Sequence, residues 1–163
     1  MLAKDIVLVW LRRNLRVLDN RVLKAAAHCG GAVIPVFIWD DFLDLGDASK
    51  GWLKRSLKAL GRDLVAKGSR LILRKGDALK VLSALVKETG AKAVLWDTSF
   101  EPVQRKIDDR VREELVRAGV FCEALNDTLL FDPSKILNKQ GTPFKVFTPF
   151  WNHCLSLEEP AVP

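Results

Sequence analysis

Residues 6–20 read IVLVWLRRNLRVLDN, an apolar run followed at once by a loop rich in arginine. The first five residues of this stretch are continuously apolar, which is the pattern of a strand buried on both faces of a sheet. Four more apolar runs of similar length occur at residues 32–38, 71–73, 93–96 and 120–122. The sequence therefore predicts five short, buried strands.

Segments with helical periodicity separate the predicted strands. Apolar residues recur along one helix face in two of these segments, at Leu53, Leu57, Leu60 and Leu64 and at Val103, Ile107, Val111 and Leu115. Asp19 and Ser49 are placed to cap helix amino termini with their side-chain oxygens. Glycine stands where each helix should end and the next strand begin, at Gly30, Gly68, Gly90 and Gly119.

Five strands that alternate with four helices predict an α/β fold. We expect a Rossmann-like, five-stranded parallel sheet with helices on both faces, which makes three layers. Residues 1–125 are predicted to form the core of this domain. The turn-rich residues 126–155 are predicted to form an irregular C-terminal extension packed on the domain, and residues 156–163 the start of an interdomain linker.

The size and composition of the chain are those of one globular domain. It has 163 residues, 48% of them hydrophobic and 28% charged, a balance that argues against disorder. No apolar run approaches the ~18 residues of a membrane span, and the amino terminus lacks the pattern of a secretory leader. The net charge of +6 permits a polyanionic partner but does not by itself indicate nucleic acid. We therefore expect a cytoplasmic protein without a membrane partner.

The cysteines and histidines form no metal or disulfide pattern. Cys29, Cys122 and Cys154 are odd in number and far apart, so we interpret them as small buried hydrophobic residues. His28 and His153 have no partner at a spacing that would bind a metal ion. We expect neither a metal site nor a catalytic triad.

Ligands of an open parallel sheet bind just beyond the carboxyl ends of its strands. Residues 11–16, 39–41 and 97–101 follow three predicted strands and bring arginines, carboxylates and aromatic rings to that edge. The loop after the first strand contains no glycine, which excludes the glycine-rich dinucleotide and phosphate loops. This edge is the predicted site.

Each of these residues also has a structural interpretation. The loop arginines, instead of binding a ligand, would tie their loop to carboxylates such as Asp19, Asp40 or Asp97. Trp10, Trp39 and Trp96 are expected in the core or in the wall of a crevice. A solvated face is favoured over a nucleic-acid patch for the basic cluster Lys54, Arg55, Lys58 and Arg62. Residues 101–117 carry five acids and five bases, which predicts surface ion pairing only.

One block of the sequence resembles a known family closely. Residues 10–20, WLRRNLRVLDN, are similar to the amino-terminal signature of the DNA photolyase/cryptochrome family, which usually reads W-F-R-R-D-L-R-x-x-D-N. The resemblance continues through residues 33–38, the leucine-striped helix, residues 100–102 (FEP) and residues 141–151 (GTPFKVFTPFW). It covers nearly the whole chain in order.

The resemblance implies that the chain is the amino-terminal antenna domain of a longer protein. Members of this family join such a domain by a linker to a helical domain that binds FAD and the DNA lesion. In photolyases, light absorbed by an antenna chromophore passes by resonance transfer to reduced FAD, which donates an electron that splits a pyrimidine dimer. The implied partners are the C-terminal helical FAD domain and damaged DNA, and the isolated domain is not expected to be catalytic.

The antenna site that the resemblance implies consists of Arg13, Phe37, Asp40 and Glu101. Arg13 matches an arginine of the W-F-R-R-D block, and Phe37 with Asp40 matches the F-x-x-D that follows the second strand in members with a deazaflavin or flavin antenna. Glu101 matches the glutamate of the family's Y-E-x motif. Folate-binding members carry an Asn-Glu pair where this chain has Val103 and Gln104. A deazaflavin or flavin antenna is therefore favoured over folate.

Four positions depart from the family pattern: Leu11 replaces a phenylalanine, Asn14 an aspartate, Phe100 a tyrosine and Ile107 a common arginine. The change at Asn14 removes a potential anionic partner of the neighbouring arginines, and the change at Phe100 removes a hydroxyl group. The leading interpretation is the antenna domain of a deoxyribodipyrimidine photolyase, a lyase of DNA repair. The alternatives are the same domain of a light-sensing cryptochrome without repair activity, and a freestanding nucleotide-binding α/β protein.

Overall fold

The structure is a computed structural model that describes residues 5–40 and 45–158. Strands and helices alternate along these ranges from the first strand to the fifth, and a last helix follows. Every strand begins within one residue of its predicted position. The elements are β1 (Val7–Leu11), α1 (Arg21–His28), β2 (Val33–Trp39), α2 (Asp47–Ala66), β3 (Ile72–Lys75), α3 (Ala78–Thr89), β4 (Ala93–Asp97), α4 (Pro102–Arg117), β5 (Phe121–Leu125) and α5 (Phe147–Leu155).

The five strands form one parallel sheet in the order β3-β2-β1-β4-β5. β1 lies at the centre, where Val7 is in register with Val33 of β2 on one side and with Ala93 of β4 on the other. The chain builds outward from β1 to β3 and then returns past β1 to start β4. The loops after β1 and β4 therefore diverge, which leaves a crevice at the carboxyl edge between these two strands.

Each face of the sheet buries its own cluster of apolar side chains. Val7, Val9 and Leu11 of β1 pack on one face with residues of α1 and α2, including Val22 and Leu60. Alternate side chains of β1 point to the other face, because successive residues of a strand face opposite ways. That second cluster joins Leu8 and Trp10 to α3 and α4 through Leu82, Leu85, Val111 and Leu115. The predicted α/β fold with three layers is confirmed.

The helix ends differ in part from the sequence predictions. Asn20 caps α1 by accepting a hydrogen bond from the Leu23 amide at 2.8 Å, whereas Asp19 lies outside the helix with a φ of 53°. Ser49 falls inside the first turn of α2, whose N-cap is Gly46. The prediction that Asp19 and Ser49 cap these helices was therefore wrong. Both residues lie within three positions of a helix start, but the backbone conformation decides which residue near that start is the cap. The four predicted glycine positions do adopt positive φ.

The predicted apolar face of α4 is shorter than expected. Val103 is 71% exposed, whereas Val111 and Leu115 are buried. Positions four residues apart advance by about 40° around a helix with 3.6 residues per turn. Val103 therefore lies about 120° from Leu115 around the axis, too far for both side chains to face the sheet.

The C-terminal extension is not irregular throughout, because residues 147–155 form α5. Pro149 is tolerated because it stands in the first turn, where backbone amides have no partner within the helix. The rings of Phe147 and Trp151, one turn apart, stack with centroids 6.2 Å apart. Most of the predicted linker, from residue 159 onward, lies outside the described residues. Within the described ranges, no helix combines the length and apolar character needed to cross a bilayer.

Candidate functional site

A cleft of about 1120 Å³ opens at the carboxyl edge of the sheet, where the loops after β1 and β4 diverge. Its walls come from the ends of β1, β2 and β4, the loops after β1 and β4, the amino-terminal half of α2, the starts of α3 and α4, and residues 128–129. Bulky apolar side chains dominate the walls, namely Trp10, Leu15, Phe37, Ile38, Trp52, Leu53 and Phe100. Such a cavity is large enough to enclose a ligand of several fused rings.

All four residues of the predicted antenna site line this cleft. Arg13 lies in the loop after β1, and Asp40 directly follows β2, in which Phe37 is buried. Glu101 is the N-cap residue of α4. Tertiary structure thus brings together side chains that are up to 88 positions apart in the chain. Their role in binding a chromophore stays a prediction.

Arg13 and Glu101 form an ion pair across the mouth of the cleft. A guanidinium nitrogen of Arg13 donates to Glu101 Oε1 at 2.7 Å, and the two side chains are 69% and 58% exposed. An ion pair this exposed contributes between about 0 and 1 kcal/mol to stability. Both groups can therefore turn to a ligand at little cost, Arg13 as a cationic donor and Glu101 as an acceptor.

The neighbouring Arg12 has a structural role instead. Its guanidinium makes a bidentate ion pair with Asp108 of α4, at 2.7 and 3.1 Å, and also donates to the main-chain oxygen of Asp97. It lies 4.5 Å from the centre of the Trp10 ring, a cation–π contact. The structural interpretation of the loop arginines therefore holds for Arg12, although its carboxylate partner is Asp108 rather than those predicted.

Asp97, at the end of β4, binds protein groups on both carboxylate oxygens. Oδ1 accepts the amide of Asp127 at 3.0 Å, and Oδ2 accepts the hydroxyl of Thr128. Asp127 in turn accepts Nδ2 of Asn14 at 2.9 Å, and both of these side chains are buried. The network fastens the loop after β1 to the segment after β5, so Asp97 holds the cleft wall.

Asn14 therefore does more than remove a negative charge from the arginine-rich loop. Its amide nitrogen is a donor that faces the buried carboxylate of Asp127, and its Oδ1 accepts the Arg12 amide at 3.3 Å. A neutral donor suits this position, because a buried carboxylate requires hydrogen bonds to replace lost water.

Two structurally important carboxylates, Asp108 and Asp127, were missed by the sequence reasoning. Residues 101–117 were expected to make surface ion pairs only, but Asp108 is buried. A signal existed, since Asp108 lies three and seven positions before the buried Val111 and Leu115 and thus shares their helix face. No comparable pattern marks Asp127, which lies two residues after the end of β5.

The cysteines carry no sign of a reactive site. Burial raises the pKa of the Cys122 thiol to about 11, although the nearby Arg112 opposes this shift. Cys154 is buried, and Cys29, like Cys122, is partly buried. Across residues 5–40 and 45–158, no three His, Cys, Asp or Glu side chains converge as a metal site would require.

Comparison with known protein families gives one match over nearly the whole chain. The model of the family described as DNA photolyase matches residues 7–163. A deoxyribodipyrimidine photo-lyase of Agrobacterium fabrum is 39% identical over 158 residues, which are 96% of this chain and 33% of that protein. Cryptochrome-2 of Arabidopsis thaliana is 38% identical over 92% of this chain and 25% of its own length.

Solved structures of photolyases share the fold. A bacterial class III photolyase from Agrobacterium tumefaciens superimposes with a TM-score of 0.92 at 38% identity, over 98% of this chain and 33% of that one. An archaeal photolyase from Sulfolobus tokodaii, described as holding two FAD molecules, has a TM-score of 0.81 at 28% identity, over 94% and 35%. The chain thus spans about a third of the length of these photolyases.

Proposed function

Because this chain belongs to the DNA photolyase family and has the fold of its N-terminal domain, we propose that its cleft holds an antenna chromophore. In the longer protein, the chromophore would harvest light for the repair of pyrimidine dimers in DNA by a deoxyribodipyrimidine photolyase. The observation that carries the proposal is the large cleft with aromatic walls at the carboxyl edge of the sheet, between β1 and β4. All four predicted residues line it. The domain itself would bind and orient, and would not catalyse.

The lining of the cleft fits a flat aromatic ligand with a polar tail. Phe37, Trp52 and Phe100 offer apolar surface to a ring system and exclude water from it. Arg13 would pair with a phosphate or other anionic group near the mouth. Asp40 and Glu101 would accept hydrogen bonds from ring N–H or tail hydroxyl groups. When bound, such a chromophore supplies light absorption and transfer of excitation energy.

We further propose that the chromophore is of the deazaflavin or flavin type rather than a folate. The structure of the Sulfolobus tokodaii photolyase is described as holding two FAD molecules, with the implication of a novel light-harvesting cofactor. Of the two positions that carry Asn and Glu in folate-binding members, Val103 is 71% exposed and Gln104 donates to the buried Asp108 at 3.4 Å. Neither side chain supplies a free carboxylate to a pterin ring.

The proposed partners are the C-terminal helical FAD domain of the same protein and, through that protein, damaged DNA. The relatives are about three times as long as the part that this chain matches. The α5 helix presents exposed apolar side chains that a further domain would cover, since Phe147 is 70% and Leu155 64% exposed.

A light-sensing cryptochrome is the second candidate, supported by the 38% identity with cryptochrome-2 of Arabidopsis thaliana. Such a protein would carry the same cleft, and the identity with the Agrobacterium fabrum photolyase is no lower. Illuminating the longer protein with dimer-containing DNA distinguishes the two, because only a photolyase restores the intact bases. A freestanding nucleotide-binding protein is disfavoured by the match to one third of longer relatives.

The chromophore proposal is tested by titrating the 163-residue chain with FAD, FMN, a deazaflavin and methenyltetrahydrofolate. Flavin fluorescence or anisotropy reports binding. Arg13→Ala and Asp40→Ala should each weaken flavin binding by about tenfold or more, because each removes a hydrogen bond to a charged group worth about 1.5–3 kcal/mol. Matched controls are Arg105→Ala and Asp109→Ala, which change the same residue types at exposed positions of α4 outside the cleft.

Three outcomes decide the proposal. A loss of flavin affinity in the cleft variants, with no loss in the control variants, supports it. Equal flavin affinity in the cleft and control variants would remove Arg13 and Asp40 from the site. Tight binding of the folate with no binding of flavins would overturn the proposed chromophore type while keeping the antenna role.

A further inference from the structure

The positive charge of the chain is concentrated in one segment of 29 residues. Residues 47–75, which comprise α2, the following turn and β3, contain nine lysines and arginines against two aspartates, a net charge of +7. The whole chain carries +6, so the remaining residues together carry −1. This asymmetry is larger than a mixed, solubilising surface requires.

Four of these cations form a continuous surface on α2. Lys54, Arg55, Lys58 and Arg62, here called the basic face of α2, fall within an arc of about 100° around the helix axis. They span about 12 Å along the helix, and all four are exposed. The buried leucines of α2 lie on its opposite side, at Leu57, Leu60 and Leu64.

Among the residues that the structure describes, no acidic side chain forms an ion pair with the basic face of α2. Within residues 47–75, one ion pair joins Lys50 to Asp47 at 3.5 Å and another joins Arg74 to Glu88 at 3.6 Å; these pairs leave the four residues of the basic face to solvent. Lys54, Lys58 and Arg62 follow one another at intervals of four, a spacing at which like charges repel. A helix that needed only solubility would alternate its charges, as residues 101–117 do with five acids and five bases.

We propose that the basic face of α2 binds the phosphate backbone of nucleic acid and gives the protein a second, sequence-independent contact with DNA. Lysine and arginine side chains that neutralise phosphates release condensed counterions, which drives such binding. This inference rests on the proposed function, because that function makes DNA the polyanion the protein meets. None of the four residues lines the chromophore cleft, so the two activities occupy separate surfaces.

The test compares two variants of the 163-residue chain that lose the same charge. One replaces Lys54, Arg55, Lys58 and Arg62 by Gln, and the control replaces four exposed lysines outside the segment, Lys80, Lys87, Lys92 and Lys106, by Gln. Affinity for an undamaged, fluorescently labelled duplex is measured by anisotropy across a range of salt concentrations. Circular dichroism verifies that both variants fold.

At 50 mM salt, the basic-face variant should bind the duplex at least tenfold more weakly than the unaltered chain. The affinity of the control variant for the duplex should change less than threefold. The slope of log affinity against log salt should fall by about 3 to 4, because each phosphate contact contributes about 0.9. Equal losses in the two variants would overturn the proposal, since net charge alone would then explain binding.

Anionic phospholipid vesicles provide the remaining comparison. If the chain binds such vesicles through the basic face but does not bind the duplex, the partner is a membrane surface and the proposal is wrong. Titrating the same variants with flavin measures the ligand affinity of the cleft separately. A basic-face variant that loses DNA affinity and keeps flavin affinity therefore supports this inference whether or not the cleft proposal succeeds.

Discussion

Removing one partner of the buried ion pair between Arg12 and Asp108 should cost far more stability than removing one partner of the exposed pair one residue further along the chain. Arg12 joins the loop after β1 to α4, and its side chain is only 14% exposed. Arg12→Met removes the charge and keeps most of the apolar stem. Asp108, itself buried, would be left with one long hydrogen bond from Gln104 at 3.4 Å.

The expected loss of unfolding free energy follows from the unpaired charge of Asp108. Removing one partner of a buried ion pair typically costs about 3–5 kcal/mol, and the partial exposure of Arg12 places this case near the lower end, about 3 kcal/mol. The double variant Arg12→Met/Asp108→Leu removes both charges of the pair, so neither is left buried without its partner. It should lose only about 1 kcal/mol, mainly for the Asp97 carbonyl that loses its donor. The double variant should therefore be more stable than the Arg12→Met single variant.

Urea unfolding at pH 7, followed by circular dichroism, measures these differences. With an m value of about 2 kcal/mol/M, Arg12→Met should lower the midpoint by about 1.5 M. Arg13→Met is the matched control, because its exposed pair with Glu101 predicts a loss below about 1 kcal/mol. Equal losses of unfolding free energy in Arg12→Met and Arg13→Met would contradict this prediction, and so would a double variant less stable than Arg12→Met alone.

Two further predictions concern titratable groups outside the cleft. Asp77 caps α3, and the hydrogen bond from the Lys80 amide, with help from Arg110, lowers its pKa below 3.8. Asp77→Ala should therefore cost about 1 kcal/mol at pH 7. Urea unfolding at stepwise lower pH should show this difference shrinking once pH falls below 3.8, where the unfolded chain takes up the proton, and disappearing when pH falls through the lower native pKa. The pKa of about 11 for Cys122 leaves about a hundredfold less thiolate at neutral pH than the usual 9.0. Mass spectrometry should find its alkylation by iodoacetamide slower by a similar factor in the native than in the urea-unfolded chain, and equal rates would contradict this.

The architecture was predictable because its strands and helices follow from the spacing of apolar residues over short stretches of sequence. The apolar runs that became β1 to β5 and the leucine row of α2 repeat over a few residues, and parallel strands with intervening helices allow few arrangements. The location of the cleft followed, since residues after strand ends meet at one edge of a parallel sheet. For this reason Arg13, Phe37, Asp40 and Glu101 lie around one cavity.

The limits of local pattern appear at the helix starts and in the C-terminal extension. The true cap of α1 is Asn20 rather than Asp19, a difference of one residue that depends on backbone dihedral angles. The α5 helix was missed because Pro149 and the surrounding turn residues mask a short aromatic helix. Its Phe147 and Trp151 rings support each other only after the helix has formed.

The sequence by itself determined the α/β fold, the edge that carries the cleft and the concentration of positive charge in residues 47–75. Only tertiary structure decided what each arginine does. Arg12 and Arg13 are adjacent and chemically identical, yet Arg12 is held by Asp108, 96 positions away, and Arg13 meets Glu101 at the open mouth of the cleft. Contacts over such separations depend on how the layers pack, and burial then sets whether a charge is fixed in place or free to bind a ligand.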